Sequence, residues 1–189
     1  PLAALHRRFG VKSVVVTTMQ AISGAGYPGV SSMDISDNVL PYIAGEEPKV
    51  ETEAQKILGE FTNGSVTYAD FPVSAQCFRV DVIDGHTVSA RVNLKNTATL
   101  EEVVDAMKNF PGLDLYSAPK TFIEVCVEPS RPQPRLDRDN GNGMTITVGR
   151  VFPDNVFDYR FVALSHNTVR GAAGSAILNA ELLISKGII

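Results

Sequence analysis

The sequence is poor in cysteine and histidine, and it lacks long apolar or basic runs. Two cysteines among 189 residues are too few for a secreted disulfide framework, so we expect a reducing compartment, the cytoplasm. No apolar stretch reaches the roughly 18 residues that span a bilayer, which argues against a membrane protein. Lys and Arg number 17 against 21 Asp and Glu, so no basic surface for nucleic acid or lipid is expected. The three histidines and two cysteines lie far apart in the sequence, and no metal site is predicted.

The residues that are present suffice for one large domain or two small ones. The mixture of β-branched segments and amphipathic segments predicts an α+β fold of α/β type, with a mixed, largely antiparallel sheet and helices on one side. Predicted strands cover residues 11–19, 73–83, 86–94, 122–127, 144–151 and 157–165. Predicted helices cover residues 2–9, part of 33–43, 50–58, 99–110 and 167–186. Residues 128–143 are polar and rich in proline, and we expect a long loop without regular structure there.

Helix starts are marked at two places by capping residues. Thr99 and Glu102 have the spacing of a capping box before the apolar stripe of the 99–110 helix. Asn167 is the expected N-cap of the last helix. An alternative use of Asn167, to direct its donors at a ligand, stays open.

Residues 73–94 predict a β-hairpin, because two alternating segments flank Asp84-Gly85, a strong turn signal. A two-residue turn would place Arg79 on the apolar face of the second strand. A three-residue loop at 84–86 instead aligns the apolar residues of both strands. We therefore expect the three-residue loop, with Arg79 on the polar face and His86 in the loop.

Two apparent ligand motifs fail on their physical context. Residues 24–29 match G-x-G-x-x-G, but Pro28 removes a donor and the next helical pattern starts only near Met33, so no helix N-terminus faces a phosphate. Residues 137–142 resemble a calcium loop, but the glycine is displaced and Val148 stands where the bidentate glutamate belongs. We expect a tight glycine loop beside a site rather than either ligand site.

His86 and Arg79 are the best candidates for chemistry on spacing alone. An imidazole in a turn can move a proton while a nearby guanidinium binds a carboxylate. The alternative, that His86 is an ordinary surface turn residue, stays open at this point. Cys77 and Cys126 lie among apolar strand residues, so we expect buried, inert thiols rather than nucleophiles.

Five segments together closely resemble aspartate-semialdehyde dehydrogenases of the fungal and archaeal branch. They are TTMQAISGAGYPG (17–29), GEEPKVETEAQKILG (45–59), FRVDVIDGHT (78–87), PQPRLDRDNGNGM (132–144) and SHNTVRGAAGSAILNAELL (165–183). The resemblance runs through nearly the whole chain and covers the catalytic and dimerisation half of the family plus its C-terminal helix. It implies a fold like the C-terminal domain of glyceraldehyde-3-phosphate-dehydrogenase-like enzymes.

The resemblance also implies a domain plan. In the family, an NADP-binding Rossmann domain comes first and ends at a nucleophilic cysteine, which starts a helix. Residues 1–10 then resemble the rest of that helix, 11–165 the catalytic and dimerisation domain, and 166–189 a C-terminal helix that packs on the NADP-binding domain. On this basis we expect that the chain begins inside a longer protein, with the nucleophile upstream of Pro1.

The family reaction is the NADP-dependent reductive dephosphorylation of L-4-aspartyl phosphate to L-aspartate 4-semialdehyde, on the pathway to lysine, threonine, methionine and isoleucine. By resemblance, His86 is the general acid/base and Gln20 orients the thioester intermediate. Asn167 resembles the residue near the nicotinamide, and Ser23 and Gly24 resemble the loop near the diphosphate–nicotinamide end of NADP. These resemblances replace the plainer interpretations of the same residues.

The charged residues match an amino acid phosphate by resemblance and by chemistry. Arg79 resembles the residue that binds the substrate carboxylate, and Lys49 the cation that meets the phosphate. Glu46 resembles the acid that binds the substrate amino group, although the doublet leaves Glu47 open. An amino acid phosphate requires a cation for each anionic end and an anion for its ammonium group.

Two other functions stay open, a non-catalytic dimerisation module and a reductase for N-acetylglutamyl phosphate. Glu46 argues against the second, because an acylated amine carries no charge to pair. We expect a homodimer or homotetramer that associates through the open face of the sheet. The expected ligands are small molecules (aspartyl phosphate, aspartate semialdehyde and phosphate), and the chain alone is expected to be inactive.

Overall fold

The computed structural model describes residues 1–189 and is organised around a seven-stranded mixed sheet. The strands are β1 (Val11–Gln20), β2 (Val39–Leu40), β3 (Glu60–Thr62), β4 (Ser65–Thr67), β5 (Val73–Val80), β6 (His86–Leu94), β7 (Ile123–Val125), β8 (Ile146–Pro153) and β9 (Tyr159–Ser165). The sheet has the order β2-β5-β1-β6-β9-β8-β7, and β3 and β4 form a separate hairpin. Within the large sheet β1–β5 and β7–β8 are parallel, whereas the other neighbours are antiparallel. The predicted α+β class with a largely antiparallel sheet is confirmed.

Six α-helices accompany this sheet. They are α1 (Leu2–Phe9), α2 (Ser32–Ile35), α3 (Glu46–Ile57), α4 (Leu100–Lys108), α5 (Pro134–Asp137) and α6 (Gly174–Ser185). α1 and α4 contact each other and enclose a core with β1, β6, β7 and β8. The predicted capping box is confirmed, because Thr99 accepts from the Glu102 N–H and the Glu102 carboxylate accepts from the Thr99 N–H. No helix here combines the length and apolar character that crossing a bilayer demands.

The predicted hairpin over residues 73–94 is wrong. β1 lies between β5 and β6, pairing in parallel with β5 and antiparallel with β6. The short connection 81–85 therefore passes the end of β1, a gap of two strand spacings or about 10 Å. The predicted face is also wrong, because Arg79 pairs with Gln20 and lies on the same face as Val88. Local turn chemistry predicted the reversal of chain direction, but it contains no information about an inserted third strand.

Two carboxylates of α3 accept hydrogen bonds from backbone N–H groups at the outer edge of β5. Glu51 accepts from the Ala75 N–H at 3.0 Å, and Glu47 accepts from the Cys77 N–H at 3.1 Å. Both N–H groups belong to a strand edge that β2 reaches only at residues 79 and 80. The two glutamates are four residues apart and thus share one helix face. The helix begins at Glu46 rather than Val50, since Pro48 falls in the first turn, where its missing N–H costs nothing.

Several other boundaries differ from the predictions because tertiary pairing overrides local pattern. The 33–43 segment is helical only over α2, and its Val39-Leu40 pair forms β2 against β5. The 128–143 loop contains the one-turn helix α5. The β3–β4 hairpin, which the predicted strands do not include, turns at Asn63-Gly64, a common hairpin turn sequence. The last helix starts with a π-helical turn at Val169–Ala173 before α6.

Candidate active site

Three adjacent strands end in polar residues at one edge and on one face of the sheet. Arg79 of β5 pairs with Gln20 of β1, and His86 of β6 lies one residue beyond the Met19–Thr87 pair. Paired residues on neighbouring strands point to the same side, so the three side chains converge. Arg79 and Gln20 are each only 6% exposed. The sheet thus brings together residues that are far apart in sequence.

The backbone of Ala21, just after β1, orients both charged candidates. Its carbonyl accepts a hydrogen bond from Arg79 Nη1 at 2.7 Å, and its N–H donates to His86 Nδ1 at 3.1 Å. The backbone of one buried residue therefore holds the guanidinium and the imidazole side by side. His86 is a half-buried member of a built cluster rather than a free surface turn residue.

Burial and charge set the protonation of these two groups. Burial, reinforced by the positive charge of Arg79, lowers the pKa of His86 from 6.5 to about 4, although Glu46 and Asp84 act in the opposite direction. Burial also lowers the pKa of Arg79, against the attraction of Glu46. His86 is therefore neutral near pH 7, beside a charged guanidinium.

The two neighbouring glutamates face different partners: Glu46 faces the site and Glu47 faces the edge of the sheet. Glu46 accepts from Gln20 Nε2 at 3.1 Å and lies 3.8 Å from Lys49 Nζ. The Glu47 carboxylate is bound to the Cys77 N–H. Lys49 is half exposed and meets the cluster only through Glu46. The geometry thus favours Glu46 over Glu47 as the acid that faces a ligand.

The glycine loop lies directly against the two charged groups. A Cβ added at Gly24 would be 2.9 Å from Arg79 Nη1 and 3.0 Å from His86 Cε1. These distances are shorter than ordinary Cβ contacts, so a side chain at this position would displace the ends of the Arg79 and His86 side chains. Ser23 accepts a hydrogen bond from Asn167 Nδ2 at 2.8 Å, while Asn167 Oδ1 accepts from the Gly85 N–H at 2.8 Å. The predicted N-cap role of Asn167 is wrong, since its side chain joins two site loops and Thr168 precedes the π-helical turn.

Neither cysteine has the surroundings of a nucleophile. Cys77 is buried on the same face as Arg79, and burial raises the pKa of its thiol. Cys126 is half-buried rather than buried as predicted, and burial also raises its pKa. The structure contains no group of three or more His, Cys, Asp or Glu side chains that could hold a metal ion.

Sequence reasoning missed the residues that position the site. Ala21 acts through its backbone, which leaves no signature in the side-chain pattern. Glu47 and Glu51 cap a strand edge, and their spacing of four residues on α3 was the available signal. Gly24 was expected only as part of a tight loop, whereas its close approach to Arg79 and His86 becomes visible in three dimensions.

A family match defines the class of this domain. Residues 2–170 match the family model described as "Semialdehyde dehydrogenase, dimerisation domain". The chain belongs to this family.

Individual relatives narrow the class. The chain is 53% identical over 180 residues to an aspartate-semialdehyde dehydrogenase of Archaeoglobus fulgidus, covering 95% of this chain and 52% of that protein. It is 52% identical over 202 residues to that of Aspergillus fumigatus, covering 100% of this chain and 56% of the relative. The chain thus spans about half the length of these relatives, and the resemblance to aspartate-semialdehyde dehydrogenases is confirmed.

Solved structures agree with the sequence comparison. The crystal structure of aspartate semialdehyde dehydrogenase with NADP from Candida albicans superimposes with a TM-score of 0.91 at 45% identity, covering 100% of this chain and 55% of that one. Aspartate semialdehyde dehydrogenase II of Vibrio cholerae, complexed with ASA, gives 0.77 at 25% identity, covering 96% and 57%. The fold of the whole chain is that of these dehydrogenases.

Proposed function

We propose that this chain is the substrate-binding, acid/base and dimerisation part of an NADP-dependent aspartate-semialdehyde dehydrogenase. The reaction is the reductive dephosphorylation of L-4-aspartyl phosphate to L-aspartate 4-semialdehyde, in the cytoplasmic pathway to lysine, threonine, methionine and isoleucine. The observation that carries this proposal is the convergence of Arg79, Glu46 and His86 around Ala21 and Gln20.

The charges of the cluster complement an amino acid phosphate. One N–H group of the Arg79 guanidinium donates to the Ala21 carbonyl. The remaining N–H groups can bind the substrate carboxylate. Glu46 binds the substrate ammonium group, because Glu47 is already engaged by the sheet edge. Lys49, half exposed beside Glu46, meets the phosphate at the open side of the site.

His86 and Gln20 act at the reacting carbonyl group in this proposal. His86 is a neutral imidazole beside Gly24, where no side chain separates its Nε2 from a bound ligand. Gln20 Nε2 donates to Glu46 in the free chain, and it orients the acyl group once substrate displaces that contact. A positioned acid/base contributes about 10²–10⁴-fold.

The residues of this chain fit the nicotinamide end of NADP rather than the whole dinucleotide. Gly24 is exposed and its missing Cβ leaves a cradle beside His86, while Asn167 Nδ2 uses one of its two N–H groups on Ser23. These residues would contact the nicotinamide end. NADPH, when bound, supplies the electrons and hydrogen that convert the acyl group to the aldehyde.

The chain alone is proposed to bind substrate without turning it over. The nucleophile expected by resemblance is a thiol at the start of α1, and neither cysteine of the chain fulfils that role. Cys77 lies under the site with a raised pKa, and Cys126 lies beyond β7. An intact His86 does not replace a missing nucleophile.

The sheet face opposite α1 is proposed to form a homodimer, either alone or as the dimer unit of a homotetramer. It carries the half-buried side chains Val15, Thr17, Met19, Phe78 and Val162. The family description as a dimerisation domain supports this proposal. A second copy would cover this face, where polar side chains such as Gln76 and Ser89 alternate with the apolar ones and which α1 and α4 leave open.

Substrate binding tests the proposal on the chain itself. We expect L-aspartate 4-semialdehyde to shift the amide NMR signals of Ala21, Gly24 and His86. Arg79→Lys and Glu46→Gln should each weaken binding at least tenfold, because each removes a charge-assisted hydrogen bond. Arg8→Lys, on the exposed side of α1 where Arg8 pairs with Asp105, is the matched control and should bind normally.

The same titration separates the alternatives. A ligand with an acylated amine, N-acetyl-L-glutamate 5-semialdehyde, should bind more weakly because it has no charge for Glu46. The aspartyl assignment would be rejected if Arg79→Lys and Glu46→Gln bound the semialdehyde as tightly as the wild-type chain. It would also be rejected if the acylated ligand bound equally well. Turnover of NADP, phosphate and semialdehyde by the chain alone would reject its proposed dependence on a further segment.

A further inference from the structure

The helix α3, which carries Glu46 and Lys49, has little apolar surface to hold it in place. None of its residues is fully buried, and Val50 is only half-buried against the main apolar core. Its N-cap residue, Gly45, has no side chain that could bind the free N–H groups of the first turn. The position of α3 along the sheet therefore depends largely on polar contacts.

The two carboxylates of α3 at the edge of β5 match the spacing of that strand. Glu47 and Glu51 are four residues apart, which is about 6 Å along a helix. They accept from the N–H groups of Cys77 and Ala75, which are two residues apart, or about 6.6 Å along a strand. Successive turns of α3 thus meet successive outward N–H groups of β5, and the helix runs antiparallel to the strand. A slide of α3 by half a turn would break both bonds.

A third residue on the same face of α3 adds to this register. Gln55 lies four residues after Glu51, and its Nε2 donates to the Phe71 carbonyl at 2.9 Å. The Gln55 carbonyl in turn accepts from the Ala69 N–H at 2.9 Å. Phe71 is 1% exposed, so this end of the helix is tied to the packed core. We call Glu47, Glu51 and Gln55 the α3 ladder.

The α3 ladder ends where the site begins. Glu46 directly precedes Glu47, and Cys77 lies two residues before Arg79 on β5. Glu46 accepts from Gln20 Nε2 at 3.1 Å, and Gln20 pairs with Arg79 across β1 and β5. The register of α3 on β5 therefore sets how far the Glu46 carboxylate lies from the Arg79 guanidinium.

We propose that Glu47 and Glu51 are positioning residues, which hold α3 in register with β5 so that Glu46 meets the ammonium group of the substrate. Neither residue contacts the ligand, and both act through Glu46. A charge-assisted hydrogen bond is strongest in one geometry, and a helix that slides loses more conformational freedom when the ligand binds. This inference rests on the proposed function above, in which Glu46 binds the ammonium group.

A purely structural role of the same contacts predicts a different result. A covered strand edge resists pairing with other chains, and a carboxylate bound to a backbone N–H stabilises the fold wherever it lies. Loss of such a contact lowers stability and affects the binding of every ligand alike. A positioning role instead changes the preference of the chain for a ligand with an ammonium group over one without it.

Two ligands that differ only in the amino group measure this preference. They are L-aspartate 4-semialdehyde and succinate semialdehyde, and titration of the amide NMR signals of the chain gives the affinity for each. The wild-type chain should bind the first at least tenfold more tightly, and Glu46→Gln should remove most of this preference. Glu51→Ala should lower the preference about fivefold, while the affinity for succinate semialdehyde changes less than about twofold. Glu51→Gln keeps an uncharged acceptor for Ala75 and should lower the preference about twofold.

Three further variants separate positioning from charge and from stability. Glu53→Ala removes the same charge from an exposed position of α3 and should keep the wild-type preference. Thr99→Ala removes the capping box of α4, which lowers stability at another helix, and should also keep it. Glu51→Ala combined with Glu46→Gln should lose no more preference than Glu46→Gln alone, because both changes act through one carboxylate.

Several results would overturn the positioning role. They are a folded Glu51→Ala chain with the wild-type preference, an additive loss in the double variant, and an equal loss in either Glu53→Ala or Thr99→Ala. Should Glu51→Ala not fold, Glu51→Gln decides the question, since an unchanged preference would contradict the proposal. A Glu46→Gln chain that keeps the wild-type preference would reject the proposed function of Glu46 itself, and this inference with it.

Discussion

The site and the C-terminal helix α6 are built in opposite ways. At the site, Arg79, Gln20 and His86 are buried or half-buried, and each has a hydrogen-bond partner from another strand or loop. On α6 only Leu178 is buried, whereas the helix and the residues after it expose large apolar side chains: Ile177, Leu183, Ile184, Ile188 and Ile189. The chain therefore fixes its site by its own contacts, but it leaves the apolar surface of α6 uncovered, and such surfaces mark interfaces.

This contrast predicts that the stability of α6 depends on one side chain. Leu178 is 5% exposed and its neighbour Ile177 is 56% exposed. Leu178→Ala should lower the free energy of unfolding by about 3 kcal/mol, because it removes buried methyl groups and leaves a cavity. Ile177→Ala is the matched control and should change it by less than about 0.5 kcal/mol in urea denaturation. Equal effects of the two variants would mean that α6 packs differently.

A second prediction concerns pH and the site. The pKa of His86 is about 4 in the folded chain and 6.5 in the unfolded one, so the unfolded chain binds the extra proton between these values. Stability from the neutral ring is complete above pH 6.5 and is lost as the pH falls toward 4. The loss should be about 2 kcal/mol, less than the full shift implies, because the ring is partly exposed.

The matched variant for this pH effect is His86→Gln. The carboxylates titrate in both proteins, so the difference between their two stability–pH curves isolates the imidazole. The wild-type curve should fall more steeply than that of His86→Gln between pH 6.5 and 4. Parallel curves would show that the imidazole is not held neutral by the fold.

A third prediction separates the two neighbouring glutamates. Glu47→Gln weakens the bond to the Cys77 N–H at the sheet edge and should lower the free energy of unfolding by about 1 kcal/mol. Glu46→Gln keeps an acceptor for Gln20 and should cost less than about 0.5 kcal/mol, although it weakens ligand binding. Thermal and urea unfolding of both variants measure this difference. If Glu46→Gln lost more stability than Glu47→Gln, Glu46 would be the structural residue and Glu47 the ligand-binding one, contrary to this assignment.

The sequence predicted the fold better than the arrangement of the site. Period-two and helical patterns located most strands and helices, since those patterns follow from which side of each element is buried. The turn at Asp84-Gly85 was found, but the insertion of β1 between its two strands was not, because local sequence does not encode which strands become neighbours. The same error placed Arg79 on the wrong face.

Residue roles came from the resemblance rather than from physical patterns. Composition and spacing alone left His86 as a possible surface residue and assigned Asn167 to a helix cap. The backbone of Ala21, which orients Arg79 and His86, has no side chain that a pattern could reveal. Such positioning contacts follow from the assembled sheet and are inaccessible before the strand order is known.

The smallest expected effect lies on the exposed face of α6. Ile184 is 62% exposed, so Ile184→Ser removes little buried area and should change the free energy of unfolding by less than about 0.5 kcal/mol. Urea denaturation at two protein concentrations measures this change and any self-association together. A loss above about 1 kcal/mol that grows with concentration would mean that copies of the chain cover this face in solution. A small, concentration-independent change would instead leave the face open for the NADP-binding part that the resemblance predicts.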